Sequence, residues 1–238
     1  MIWLWRICFN SLATVPLLCA TVTGSVELKD SREPAVRKHM DFSGIVISLE
    51  PLNAVAASHK PGLARMIQKH KTFNPHVLAI QIGTTVEFPN LDPIFHNAFS
   101  NYDGQLFDVG LYPPGTTRSV HFSREGVVRI FCNIHSTMSA VIVVLKTPYF
   151  ATTERDGSFL IPDVAPADYL LRVFHERATA PTLAALDRRI TVAGDRTVQL
   201  PVITISESGY LPIPHKNKYG RDYSLAPDDT TIYPAMKK

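Results

Sequence analysis

The chain has 238 residues, 45% of them apolar and 19% charged, enough to form a real core and too apolar for a globally disordered polymer. Its formal net charge is +3 and it contains no basic run, which excludes a nucleic-acid footprint and gives no reason to expect a charged membrane surface as partner.

Residues 1–24 read as a secretory signal peptide directing the protein to the periplasm. Arg6 charges "MIWLWR", "ICFNSLATVPLLCA" is the apolar core, and the small residues of "TVTGS" place cleavage near Thr23 to Ser25. An uncleaved anchor is the competing reading, but the apolar run is short for a span, so no integral span is expected in the mature chain. A lipoprotein reading through Cys19 meets a bulky Leu18. With Cys8 and Cys19 removed, Cys132 is the one cysteine left. It is then a buried thiol, a reactive thiol or a metal ligand, because it has no partner for an internal disulfide.

"VELKDSREPAVRKHM" is polar and holds an edge strand at most, whereas "DFSGIVISLEPL" has the β-branched content of a strand from Ile45 to Leu49. Residues 52–72 read as an excursion between strands, with a short helix after Pro61 suggested by Ala, Leu, Met and Gln. From His76 the chain turns to strands: "HVLAIQI", "TTVEF", "GTTRSVHF", "GVVRIFC" and "SAVIVVL". Gly, Pro, Asn and Asp separate them at roughly eight to twelve residues, the spacing of a β-sandwich or barrel. Asp156-Gly157 is a hairpin signal, and "SFLI", "YLLRVF", "RRITVAG" and "TVQLPVITI" make a second small all-β module over 148–205. Residues 206–238 read as an extended tail. The fold class expected is all-β.

Alternation in "GVVRIFC" puts Val128, Ile130 and Cys132 on one face, so Cys132 points inward at its strand end. "NIHST" reverses the chain and Met138 opens the next strand. Taken singly, Cys132 reads as a small buried hydrophobe, Met138 as core filling and His135 as an exposed loop histidine. Jointly they are harder to dismiss: with this composition Cys-x-x-His-x-x-Met arises at roughly one in a hundred thousand positions. Thiolate, imidazole and thioether suit copper far better than calcium or magnesium, and zinc would want a stronger fourth ligand. A second imidazole is available upstream in "VEFPNLDPIFHNAFS", at His96. His96, Cys132, His135 and Met138 make up the His₂Cys set with a long axial methionine, a blue-copper site for one type-1 copper ion.

On these motifs residues 76–147 resemble the cupredoxins. The Cys132-x-x-His135-x-x-Met138 spacing is similar to that of amicyanin, and shorter than the plastocyanin or pseudoazurin loop. The His96-Asn97 pair matches the family as well. The run from "FNPHVLAIQIGTTVEFPN" to "CNIHSTMSAVIVV" resembles exported plastocyanin-like proteins of the methylamine-utilisation type. Residues 148–205 resemble the carboxypeptidase regulatory-like, transthyretin-type module, although "APADY" departs from its Pro-x-Gly-x-Tyr turn. The resemblance implies a Greek-key sandwich over 25–147 carrying an insertion at 52–72, then the second module. It implies that Asn97 ties the two ligand loops together, its backbone N–H facing the Cys132 sulfur. It also implies an apolar patch at the His135 edge, with Pro93, Ile94, Leu111, Tyr112 and Pro113 as candidates.

The function expected is periplasmic electron transfer, with a cytochrome or dehydrogenase docking weakly. The alternative is copper storage, delivery or assembly, which the second module favours. A copper enzyme would need a further catalytic copper, and the sequence has no His-x-His pair, Gly-x-Ser-x-Gly or paired acid/base carboxylates. His70 and His76 flank "KTFNP" as two prospective donors for a second metal. His175 reads as a solvated strand end, His121 as outward, and Asp163 and Asp168 as turn formers.

Overall fold

The computed structural model describes residues 19–53, 62–101, 104–194, 196–212 and 214–223. The expected leader up to residue 18, residues 54–61 of the expected insertion and 224–238 of the tail lie outside the described residues. In chain order the first elements are β1 (Ala20–Lys29), α1 (Pro34–His39), β2 (Val46–Pro51), β3 (Leu63–Arg65), β4 (Ile67–Lys69) and β5 (Thr72–Asn74). There follow β6 (Val77–Gln81), β7 (Thr85–Pro89), β8 (Phe99–Ser100), β9 (Phe107–Asp108), β10 (Thr117–His121), β11 (Gly126–Phe131) and β12 (Ser139–Leu145). The last are β13 (Phe150–Thr152), β14 (Ser158–Val164), β15 (Ala167–Phe174), α2 (Ala180–Ala184), β16 (Arg188–Val192), β17 (Val198–Gln199) and β18 (Ile203–Ser206). The protein is all-β, as expected, with two helices of only six and five residues among those described.

Two sandwiches share the chain. In the first, the sheet β6-β12-β11-β8-β9 packs on β10-β7-β3, with the β4-β5 ribbon beside them. Its core holds Met66, Val86, Phe88, Phe122, Val128, Ile130, Cys132, Met138 and Ile142. In the second, β14-β1-β17, with β18 also on β1, packs against β13-β2-β15-β16. Val22, Val26, Ile47, Leu49, Ile161, Leu171 and Ile205 fill the space between them.

This assembly differs from the expected partition. Residues 20–51 pair with strands from 150–206, not with the sandwich of 63–147. β1 is a central strand rather than an edge, antiparallel to β14 on one side and parallel to β17 and β18 on the other. The reason lies in its pattern: within a polar-looking segment Ala20, Val22, Val26 and Leu28 are buried at every second position. A cut near Thr23 to Ser25 would strip Ala20 and Val22 from this core, where they pair with Val164 and Ile161.

The helix expected after Pro61 is instead β3 and β4. Burial alternates there, with Met66 and Gln68 fully buried and Leu63 and Arg65 exposed, and β3 lies parallel to β7 through Ala64 and Val86. Pairing with a neighbouring strand overrides modest helical propensity. The Asp156-Gly157 turn is real but joins two sheets rather than two paired strands, since β13 pairs with β2 and β14 with β1. Gly157 has φ +82°, and a Cβ there would run into the Val26 carbonyl oxygen, whereas glycine tolerates both.

The apolar run of β12 follows from burial on both faces. Ala140, Ile142 and Val144 point into the first core. Val141 and Val143 meet Val46 and Val77, with Phe174 packed alongside, and seal one sandwich against the other.

Candidate metal centre

Val128, Ile130 and Cys132 are all fully buried on one face of the β11 segment, as side-chain alternation requires. The loop that follows is closed by two backbone bonds. Met138 N–H donates to the His135 carbonyl at 3.1 Å, and Cys132 N–H to the Met138 carbonyl at 3.2 Å. His96 lies beyond β7, its backbone paired with Tyr112 at 3.2 and 2.9 Å. Asn90 shapes the approach: its Nδ2 donates to the Ile94 carbonyl at 2.8 Å and its Oδ1 accepts from Asp92 N–H at 3.1 Å.

These elements bring three of the four expected donors together. His96 Nδ1 lies 4.0 Å and His135 Nδ1 3.5 Å from Cys132 Sγ. The ligand atoms of His96, Cys132 and His135 all fall within 4.8 Å of one another. The two imidazole rings meet edge-on, 4.9 Å between centroids. Met138 is fully buried in the same cluster as Cys132. His96 and Cys132 are fully buried and His135 half-buried.

The electrostatics divide the two nitrogens of His96. Its Nε2 is 2.8 Å from Asp92 Oδ2, and a carboxylate can only accept. The proton therefore sits on Nε2, which leaves Nδ1 with a lone pair toward the sulfur. Burial would raise Asp92, but the N–H of Lys71, the His96 ring and the N–H of His70 outweigh it and hold the carboxyl below its usual range. Burial pushes the Cys132 thiol up, against the N–H groups of Ile134, Asn97 and His135. A soft cation is what would turn that thiol into a thiolate, and two imidazoles, a thiol and a thioether are the donors copper prefers.

Asn97 holds the second loop. Its Nδ2 donates to Asp108 Oδ1 at 2.7 Å and to the Gly110 carbonyl at 2.9 Å, while its backbone N–H faces the Cys132 sulfur. Sequence reasoning missed Asp92, which reads as a turn former in "NLDP". It also missed Gln68, whose Nε2 donates to the Asn97 carbonyl at 3.3 Å. Gln68 belongs to the expected insertion, so that segment builds the site instead of standing apart from it.

Other expectations need correction. Tyr112 is fully buried, its hydroxyl donating to the Phe88 carbonyl at 2.9 Å, so it cannot belong to an exposed patch. Leu91 and Leu111 are exposed there, with Pro93, Ile94 and Pro113 at least partly so. His175 is buried against Glu207 at 2.7 Å rather than solvated. His76 pairs with Glu176 at 2.8 Å. Neither His70 nor His76 enters a group able to hold a metal among the described residues, whereas His96, Cys132 and His135 do. His121 is exposed, as alternation predicts.

The chain matches no family model and no curated protein. Among solved structures it is similar to a purple cupredoxin from Nitrosopumilus maritimus, 26% identical, covering 34% of this chain and 99% of that one, with a TM-score of 0.32. It is similar to the Cu-containing nitrite reductase of Thermus scotoductus SA-01, 24% identical over 50% of this chain and 28% of that one, TM-score 0.34. A variant of oxidised amicyanin is 15% identical over 42% of this chain and 98% of that one, TM-score 0.33. These likenesses reach half of this chain at most.

Proposed function

We propose that this is an exported type-1 copper protein that carries single electrons in the periplasm. One observation carries the reading: the Nδ1 atoms of His96 and His135 converge on the buried Cys132 sulfur, with the His96 ring held by Asp92. Copper in such a site would supply one-electron chemistry between Cu(II) and Cu(I). The protein's part is to keep the donors still. Cys132 is fixed by its strand end, His96 by its pairing with Tyr112 and Asp92, and His135 and Met138 by the closed loop. Ligands that hardly move between oxidation states keep the reorganisation small.

His135 is the least buried of the four donors and is the proposed exit for the electron. A cytochrome or dehydrogenase would dock weakly on the exposed Leu91, Pro93 and Leu111. The leader would end upstream of Ala20, and the second sandwich is read as a carboxypeptidase regulatory-like module. No helix of the described residues is long and apolar enough to cross a membrane. We read the protein as a carrier and not an enzyme. The size of the second core supports one rival, a copper store or delivery subunit, since a simple shuttle needs no such appendage.

Adding Cu(II) to the purified protein is expected to give an intense blue thiolate charge-transfer band that Cys132→Ser abolishes. A colourless protein, or colour that survives this substitution, would refute the site. Cyclic voltammetry then separates the readings: a reversible couple belongs to a carrier, and loss of copper on reduction to a store.

A further inference from the structure

The tail leaves the second sandwich and crosses onto the ligand loops of the first. Just past β18, Glu207 is held firmly. Its N–H donates to the Lys29 carbonyl at 2.9 Å, and its carboxylate accepts from Ser31 at 2.6 Å, His175 at 2.7 Å and Arg177 at 3.0 Å. Residues 214–223 then lie along the Cys132–Met138 loop. The Tyr223 hydroxyl donates to the Cys132 carbonyl at 2.8 Å and lies 3.2 Å from His215 Nδ1. His215 Nε2 donates to the Ser136 carbonyl at 2.8 Å, and its ring stacks on Phe131 with centroids 4.1 Å apart.

Lys218 reaches both loops. Its backbone N–H donates to Asn133 Oδ1 at 3.0 Å, next to Cys132. Its Nζ meets Asp108 Oδ2 at 2.8 Å, and the other oxygen of that carboxylate accepts from Asn97, next to His96. The tail's own turn is stiffened by Asn217, whose Oδ1 accepts from the N–H of Tyr219 and Arg221 at 3.0 and 3.1 Å. Within the ligand loop itself the backbone bonds of Met138 to His135 and of Cys132 to Met138 oppose opening. The tail adds contacts at Cys132, Asn133 and Ser136, on three of its seven positions.

We propose that residues 214–223 are a clamp that positions the two ligand loops, with Tyr223 and Lys218 as positioning residues and the second sandwich as its anchor. This gives the second sandwich a task in the site itself. The proposal rests on the copper reading, and one arm of its test needs no metal.

The test uses the full chain with Tyr223→Phe, Lys218→Ala and the two combined. In the metal-free protein, the rate of Cys132 modification by a small thiol reagent is followed by mass spectrometry of its peptide. One lost hydrogen bond of about 1 kcal/mol corresponds to roughly fivefold more open loop, so each variant is expected to react about fivefold faster and the pair more than tenfold. With Cu(II) added, the pair is expected to shift the charge-transfer band and the reduction potential while the thermal melting of the protein holds. Unchanged thiol rates, band and potential in the double variant would overturn the clamp. If the full chain shows no blue band but the thiol rates rise, the clamp stands and the copper reading falls. Tyr223→Phe removes a single hydroxyl from a half-buried ring and keeps the test decisive should the double variant fail to fold.

Discussion

The two nitrogens of His96 have separate tasks, and Asp92 assigns them. Its carboxylate accepts a hydrogen bond from the Nε2–H of His96 and also accepts the backbone N–H of His70 and Lys71 at 2.6 and 2.9 Å. Asp92→Ala would leave all three donors without this acceptor. It is expected to weaken copper binding about 10- to 100-fold, the usual effect of losing the partner of a ligating histidine, as read by chelator competition. Unchanged affinity would detach Asp92 from the site. The carboxyl is held below its usual range when folded, so its share of stability is present above the ordinary value and is lost as pH falls through the lower one. At Gly157 the constraint is steric. Gly157→Ala is expected to cost about 1–3 kcal/mol in urea unfolding, because a positive φ and the Val26 carbonyl both oppose a Cβ.

Among elements, β12 is the most demanding because both its faces are covered. Ile142→Ala empties a fully buried position of the first core and is expected to cost about 2–5 kcal/mol, measured by denaturant unfolding. Val143→Ala acts on the seal between the sandwiches and is expected to cost less. The same seam holds an ionic contact between His76 and Glu176. The hydrogen bond that His76 donates to Glu176 raises His76, against burial. Burial would raise Glu176, but His76 and then Arg177 hold it below its usual range. The folded state therefore favours the imidazolium, and its contribution is fully present below about pH 6.5 and lost as pH rises through the raised value. Buried His175 is shifted the other way, chiefly by burial, and opposes the gain at low pH. Thermal melts across pH are expected to show His76→Gln lowering Tm more below about pH 6 than above about pH 8. An equal loss at both would remove the charge from the explanation.

For the whole molecule the decisive element is β1. It joins β14 to β17 and β18, so a chain lacking residues 20–29 would leave two unpaired sheet edges and an open core. Such a chain is expected to lose hydrogen-exchange protection in β14 and β18, while β11 and β12 stay protected. The all-β class was legible in the β-branched runs from His76 onward. The partition was not, because Ser25 pairs with Ser158 across more than half the chain and nothing local marks that pairing.

Some of this protein was written in local chemistry. Alternation aimed Cys132 inward, and the spacing of Cys132 and His135 on one tight turn, with His96 upstream, picked out three side chains whose ligand atoms lie within 4.8 Å of one another. These signals are readable because side-chain direction in a strand and ligand softness depend on a residue and its near neighbours. Tertiary structure alone decided the rest: that Asp92 orients His96, that β1 belongs to the far sandwich, and that Tyr223 reaches the Cys132 carbonyl from 91 residues away. A hydrogen-bond donor in sequence does not name its acceptor, and polar partners far apart in the chain meet only once the apolar cores have packed.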